Sequence, residues 1–267
     1  MIRRESQGVV WYEFEILAAC PNVRHGVFAR HGGLSADPWS SLNVSLSVGD
    51  DERVVWENRR RLVRSLGLDP ARLVTARQVH GSRVSAVNAD VLSSTGPTSV
   101  PESDSLLTVD RGLSLAMTFA DCVPLLFHDP RRGVIGIAHA GWRGTLTGVG
   151  PATVKAMVER FGSAPSEILV GIGPSIGPCC YEVGEEVVAA ARGALGGDEA
   201  PLMGEAGGWR LDLWEANRRL LVHAGISQEH VEVGGVCTAC NTQEFFSHRK
   251  ERGRTGRFGA AIGLRAD

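Results

Sequence analysis

The segment FADCVPLLFHDPRRGVIGIAHAGWRG, residues 119–144, decides how this chain is read. Its middle, Asp129-Pro130-Arg131-Arg132-Gly133, concentrates turn formers: an Asp that can accept from nearby backbone, a Pro that fixes φ, and a Gly free to take positive φ. Apolar runs flank the turn, so FADCVPLLFH and VIGIAHAGW are expected to fold back on each other as a buried antiparallel pair. Counting outward from the turn sets Cys122 beside residues 140 and 141, which makes His139 its near or diagonal neighbour. A slip of one residue would change the face, so the expectation is specific.

Both groups sit where a strand gives way to a turn, Cys122 after Ala120-Asp121 and His139 before Gly141-Trp142-Arg143-Gly144. Functional side chains concentrate at such ends. Either residue alone reads as ordinary core, whereas the pair gives a shared site equal standing. His80, in Gln78-Val79-His80-Gly81, is a candidate third member at another strand end. A Cys/His/His set offers three ligands to Zn²⁺ and leaves a fourth position open, the pattern of catalytic zinc. Without metal, Cys122 reads as a nucleophile with His139 as its base. Asp121 either orients one of the histidines or caps a turn.

Farther out, residues 50–67 carry carboxylates at the start, apolar residues along one face and Gly67 at the end, which predicts a helix. LVTARQVHG reads as a strand ending in a turn at His80-Gly81, with RVSAV as its return strand. Buried strands are expected at 113–120, 134–140 and ILVGIGP, helices at 147–162, 185–197 and 213–225, and short closing strands at VEVGGVC and FGAAIGL. The polar stretch 88–104 reads as a surface loop. Strands and helices mix without strict alternation, so the expected class is α+β in one domain, residues 1–267.

With 267 residues, 43% hydrophobic, 22% charged and a net charge of −2, the composition gives no electrostatic reason to expect nucleic acid or an anionic membrane as partner. The N-terminal residues lack the apolar run of a signal peptide and no window is long enough for a membrane span, so a cytoplasmic location is expected. Six cysteines are too sparse for a disulfide framework and read as reduced thiols. Cys237-Thr238-Ala239-Cys240 has zinc-ribbon or redox spacing but no second CxxC, and adjacent Cys179-Cys180 are not expected to aim at one ion, so these four read as buried thiols near the site. Arg143, among glycines between a strand and a helix, suits an anion such as phosphate. Arg249, Lys250, Arg252, Arg254 and Arg257 read as a loop contacting a small anionic substrate or product.

ARQVHG, ADCVPLL, HAGWRG, GPSIGPCCYEVG and CTACNTQEFFSHRKERGRTGR, with HGVFARHGG and SLNVSLSVGDD upstream, closely resemble the YfiH-like family, also called the multicopper polyphenol oxidase or laccase-domain family. The resemblance spans roughly residues 25–264. It implies a single α+β domain in layered α/β/β/α order, similar to the cytotoxic necrotizing factor catalytic domain. It also implies a catalytic zinc on His80, Cys122 and His139. The implied activity is phosphorolysis of purine nucleosides (adenosine, inosine, methylthioadenosine) to ribose 1-phosphate type products, with adenosine deamination alongside. Asn43 and Arg59 lie in matching segments and, with Arg143, are candidate substrate or phosphate contacts. His248 and Lys250 depart from the family's FFS segment, where tyrosine and arginine are common. Eight histidines argue against multicopper chemistry, though one copper could bind adventitiously. Rival readings are a Cys–His amidase or deamidase acting on a small substrate such as a peptidoglycan precursor, and a non-catalytic zinc-binding protein. The sequence leaves the oligomeric state open.

Overall fold

The central hairpin forms with the expected register. Val123–Asp129 and Val134–Ala140 pair antiparallel, Val134 opposite Asp129 and Ala140 opposite Val123. Asp129 Oδ1 closes the turn by accepting from the N–H groups of Arg131 (2.8 Å) and Arg132 (3.0 Å), and Gly133 takes φ +65°. One residue further out, the ladder sets Cys122 against Gly141 and leaves His139, opposite Pro124, on the diagonal.

The computed structural model describes residues 1–92, 98–204 and 208–266. In chain order the strands are β1 (Ile2–Ser6), β2 (Val9–Glu13), β3 (Val23–Phe28), β4 (Leu73–Ala76), β5 (Val84–Ala86), β6 (Thr98–Val100), β7 (Ser105–Thr108) and β8 (Ser114–Phe119). The hairpin supplies β9 and β10, followed by β11 (Leu169–Ile172), β12 (Leu202–Met203), β13 (Arg210–Leu211), β14 (Val231–Val233) and β15 (Phe258–Leu264). The helices are α1 (Glu15–Ala18), α2 (Glu52–Ser65), α3 (Trp142–Leu146), α4 (Val149–Phe161), α5 (Glu185–Ala194) and α6 (Leu213–His223). Two mixed sheets carry the α+β domain, one in the order β1-β2-β3-β15-β8-β4-β6 and the other β14-β11-β9-β10-β7-β5, with β12 and β13 as a separate ribbon.

Strand alternation distributes the core. Leu126, Ile135 and Ile137 of the hairpin meet Val27, Leu115, Met117, Phe119 and Ile262 of the other sheet in one buried cluster. The hairpin's remaining faces, through Leu125, Phe127, Val134 and Ala138, pack with Val154 and Met157 of α4 and Leu213 and Leu221 of α6. On the far side of the first sheet, Leu62 and Val63 of α2 cover Trp11, Phe28, Leu73, Ala116 and Ala261. Each fully buried side chain of this size contributes roughly 1.5–3 kcal/mol through burial. The local signals for helices hold as well: Asp51 caps α2 by accepting from Arg53 and Val54, and α4 stops at Gly162, whose φ of +69° carries no Cβ penalty.

Two expectations change. RVSAV does not return alongside β4; β5 pairs in parallel with β7 in the other sheet, Val84 opposite Ser105. The turn before it is held by the Asp104 carboxylate, which takes the N–H groups of Val79, His80 and Gly81 and so draws the chain across to the second sheet. The stretch 88–104 is more than a surface loop, since β6 adds in parallel to β4 and Ser103 and Asp104 are fully buried. Residues 93–97 of that stretch lie outside the described residues. Outside the elements expected from the sequence, β1 and β2 form a hairpin through Gln7-Gly8, both at positive φ, and β3 pairs with β15 across five residue positions. Among the described residues no helix is long and apolar enough to cross a membrane.

A buried histidine gives the fold a pH dependence. His25 Nε2 accepts from the Phe14 N–H at 2.8 Å and the ring stacks on Phe14. Burial pushes its pKa down to about 4, so the folded state holds it neutral while the unfolded chain protonates it below about 6.5. The unfolded state then binds more protons between those values, and stability falls as pH drops. Urea unfolding at pH 7.5 and 4.5 is expected to show a loss of about 2–3 kcal/mol attributable to this residue, absent in the His25→Gln variant. Equal losses in both proteins would remove His25 as the cause.

Candidate metal centre and active site

His80, Cys122 and His139 come together. Their ligand atoms all lie within 4.8 Å of one another, at the end of the layer between the two sheets. The grouping runs from solvent inward, with His80 exposed, Cys122 half-buried and His139 buried. The His80 ring stands edge-on to His139 at 4.8 Å, and Phe119 backs His139 at 5.6 Å.

Asp104 fixes two members at once. Besides its three backbone donors at residues 79–81, it accepts from His139 Nδ1 at 3.0 Å. An ionised carboxylate can only accept, so Nδ1 carries the proton and Nε2 is left with its lone pair for a ligand. His80 itself takes φ +61°, an uncommon backbone state that the Asp104 contacts stabilise. Burial opposes charge on Asp104, but His139 and the N–H groups of Gly81 and His80 outweigh it and hold the carboxyl below its usual range. In the metal-free chain burial likewise opposes ionisation of Cys122 and His139, yet each charge favours the other: the thiol falls to about 6 and the imidazole rises to about 9.

The donor set suits zinc. Two imidazoles and a thiolate converge, one imidazole is oriented through its other nitrogen by a carboxylate, and the fourth side is open through His80. The backbone also leaves room: a Cβ on Gly141 would lie 2.9 Å from Cys122 Sγ and 3.3 Å from His80 Cδ2.

Of the two roles open to Asp121, orienting a histidine is not the one the structure gives it. Its carboxylate accepts from Thr238 Oγ1 (2.7 Å) and the Arg249 N–H (2.6 Å), so it ties neighbouring loops to the Cys122 turn, while Asp104 does the orienting. In the sequence Asp104 closes a polar stretch and reads as loop; the signal for it is a carboxylate immediately before the buried run Ser105-Leu106-Leu107.

The three other candidates are placed differently. Arg143 lies in the first turn of α3, two residues after Gly141, exposed, over the Trp142 ring at 4.2 Å with Glu186 at 3.8 Å. Asn43 is fully buried and its amide is committed: Nδ2 donates to Ser45 O and Asp50 Oδ2, and Oδ1 accepts from the N–H groups of Ser45 and Arg257. It positions Arg257 and offers nothing directly to a ligand. Arg59 lies on α2 with its Nε on Val44 O, over the Trp56 ring, in a small cavity lined by Ala116 and Thr118 on the sheet face opposite Phe119. The structure does not bring Arg59 to the Cys/His grouping. Burial lowers its guanidinium pKa to about 10.

Other basic groups gather instead. Arg249 lies over the Tyr181 ring at 5.4 Å, and half-buried Arg257 reaches His248 Nδ1 at 3.4 Å. The charges of Cys122, Arg249, Asp121 and Arg143 all act on Tyr181, after burial as the main cause that pushes its phenol up to about 12.

Residues 24–265 match the family described as multi-copper polyphenol oxidoreductase laccase. The chain belongs to this laccase-domain family. Among its laccase-domain relatives, the purine nucleoside phosphorylase YlmD of Geobacillus stearothermophilus is 44% identical over 248 residues, 91% of this chain and 90% of that protein. A purine nucleoside phosphorylase of Deinococcus radiodurans is 41% identical over 250 residues, 93% and 92% of the two chains. The crystal structure of YlmD from G. stearothermophilus superposes with a TM-score of 0.92 at 41% identity, covering 98% of each chain. The YfiH protein of Bacillus licheniformis gives 0.90 at 39% identity, covering 98% of this chain and 99% of that one.

Asp104→Asn tests the orienting carboxylate. An amide cannot accept from four donors, so zinc affinity measured by chelator competition is expected to fall about 10–100-fold, with a stability loss of about 1–3 kcal/mol. Unchanged affinity would show that Asp104 serves the fold alone. Gly141→Ala is expected to weaken zinc binding with less effect on stability, because its Cβ intrudes on Cys122 and His80.

Proposed function

We propose that this laccase-domain chain is a purine nucleoside phosphorylase whose catalytic zinc is held by His80, Cys122 and His139. The observation that carries the reading is the convergence of these three donors, with His139 oriented by Asp104 and one side open to substrate. The relatives named purine nucleoside phosphorylase support it.

When bound, zinc supplies Lewis acidity at the open fourth position. The chain supplies the rest. Arg143, with Arg249 and Arg257, meets the negative charge of phosphate with donors that fork onto its oxygens. Holding phosphate in line with C1′ of the ribose converts a bimolecular encounter into a positioned one: the C1′–phosphate bond forms as the glycosidic bond breaks, and the purine leaves with that electron pair and takes up the proton that hydrogen phosphate carried. Asp104 keeps the His139 proton on Nδ1, so that nitrogen takes no part in proton transfer to the purine. Asn43 acts one step back, by fixing the backbone of Arg257. We include adenosine deamination as a side reaction of the same site, read out as ammonia release.

A second reading has a specific observation behind it. Cys122, His139 and Asp104 stand in series, the ligand atoms of Cys122 and His139 within 4.8 Å and His139 Nδ1 3.0 Å from Asp104 Oδ1, the arrangement of a cysteine amidase.

Nucleoside cleavage is expected to require phosphate and to yield ribose 1-phosphate. Arg143→Ala is expected to raise the KM for phosphate about tenfold, with a smaller change for nucleoside, as one charge-assisted contact is lost. Equal rates without phosphate would make the enzyme a hydrolase. Chelation is expected to abolish turnover, added Zn²⁺ to restore it, and iodoacetamide to label Cys122 faster after chelation. Full activity in the chelated enzyme, lost on alkylation, would favour the amidase.

A further inference from the structure

Four cysteines remain outside that chemistry, and the fold gathers them. Cys179, Cys180, Cys237 and Cys240 place all four sulfurs within 4.8 Å of one another, contrary to the expectation that adjacent Cys179 and Cys180 are not aimed at one ion; nor are they four buried thiols, since Cys237 alone is buried while Cys179 and Cys240 are exposed. The reason lies in the backbone. Gly177 O accepts from both Cys180 N (2.9 Å) and Tyr181 N (3.0 Å), which winds this loop as a single helical turn. Successive side chains on such a turn diverge by about 100°, where a strand would send them to opposite faces.

The second pair is brought up by a short ladder. Ser175 bridges Cys237 in parallel, with Thr238 N donating to Ser175 O at 2.9 Å and Ser175 N to Val236 O at 3.2 Å. Asn241 Nδ2 holds Cys237 O at 2.8 Å. Gly177 N donates to Cys237 Sγ at 3.2 Å, which fixes that sulfur toward the first pair. Side-chain bulk is excluded at Gly177, where a Cβ would lie 2.7 Å from Trp214 Cη2.

The sulfur spacing discriminates between fates. Cys180 and Cys240 are 3.4 Å apart and Cys179 and Cys240 are 3.6 Å apart, well beyond a disulfide of about 2.05 Å. A tetrahedron with zinc–sulfur bonds of about 2.3 Å has sulfur–sulfur edges of about 3.8 Å. The cluster is near that size before any ion binds.

We propose that Cys179, Cys180, Cys237 and Cys240 form a second, structural metal site that takes zinc as a closed tetrathiolate. Four soft, anionic donors in a tetrahedron select zinc or iron over harder cations, and a filled shell leaves no position for substrate. The site braces the wall of the first one. Thr238, inside the CxxC loop, donates to Asp121 Oδ1 at 2.7 Å, and Ile176, ahead of the other pair, donates its N–H to Asp121 O at 3.0 Å, next to Cys122.

The test removes the first site so that only the second can answer. In a Cys122→Ser/His139→Ala chain, purified reduced and dialysed after incubation with zinc alone, elemental analysis is expected to find about one zinc per chain. Adding Cys237→Ser and Cys240→Ser is expected to abolish it. Cobalt(II) in the Cys122→Ser/His139→Ala chain should give an intense sulfur-to-cobalt charge-transfer band, a readout that needs no change to the cluster and so survives misfolding of the serine variant. Zinc-free protein without that band, or retention of zinc in the quadruple variant, would overturn the proposal, as would a Cys180–Cys240 or Cys179–Cys240 disulfide in reduced, metal-loaded protein. Iron in place of zinc in the protein as isolated would overturn the zinc assignment. Phosphorolysis is not part of the readout, so the two proposals fail separately.

Discussion

One buried carboxylate organises the centre of this molecule. Asp104 receives the N–H groups of Val79, His80 and Gly81 and the Nδ1–H of His139, so a loop leaving the first sheet and a strand of the second end on the same two oxygens. An uncompensated buried anion costs several kcal/mol, and here four donors stand against that cost. The same contacts send β5 to the second sheet and hold His80 in its unusual backbone state. Fold and site therefore share an origin: the group that makes the crossover possible also orients the innermost ligand.

Electrostatics around that centre are graded. His139 and Cys122 lie where water is scarce and each stabilises the other's charge, whereas His80 meets solvent. Arg143 comes from α3 and Arg249 and Arg257 from one loop ahead of β15, and the charges of Arg143 and Arg249 act on Tyr181.

Local patterns made much of this readable. The turn at residues 129–133 is dense enough in Asp, Pro and Gly to fix the register, and the register alone placed Cys122 diagonal to His139. The helices at 52–65 and 149–161 carry their own stops. What escaped depends on contacts distant in sequence. Asp104 is a loop residue until residues 79–81 and 139 arrive; Cys179 and Cys180 are unconvincing neighbours until Gly177 winds them and Ser175 pairs with Cys237. Asn43 illustrates the opposite case: a polar residue in a suggestive segment whose side-chain amide is hydrogen-bonded inside the fold.

The hairpin register also bears on how this chain tolerates insertions and deletions. Loops elsewhere can gain or lose a residue at small entropic cost. Between Asp129 and Val134 a change of one residue must either be absorbed by rebuilding the turn or travel along the ladder, and along the ladder it inverts the facing of one strand against the other. Cys122 or His139 would then point toward α4 and α6 while its partner stayed between the sheets. The length of a solvent-exposed turn thus carries as strict a requirement as the identity of a ligand.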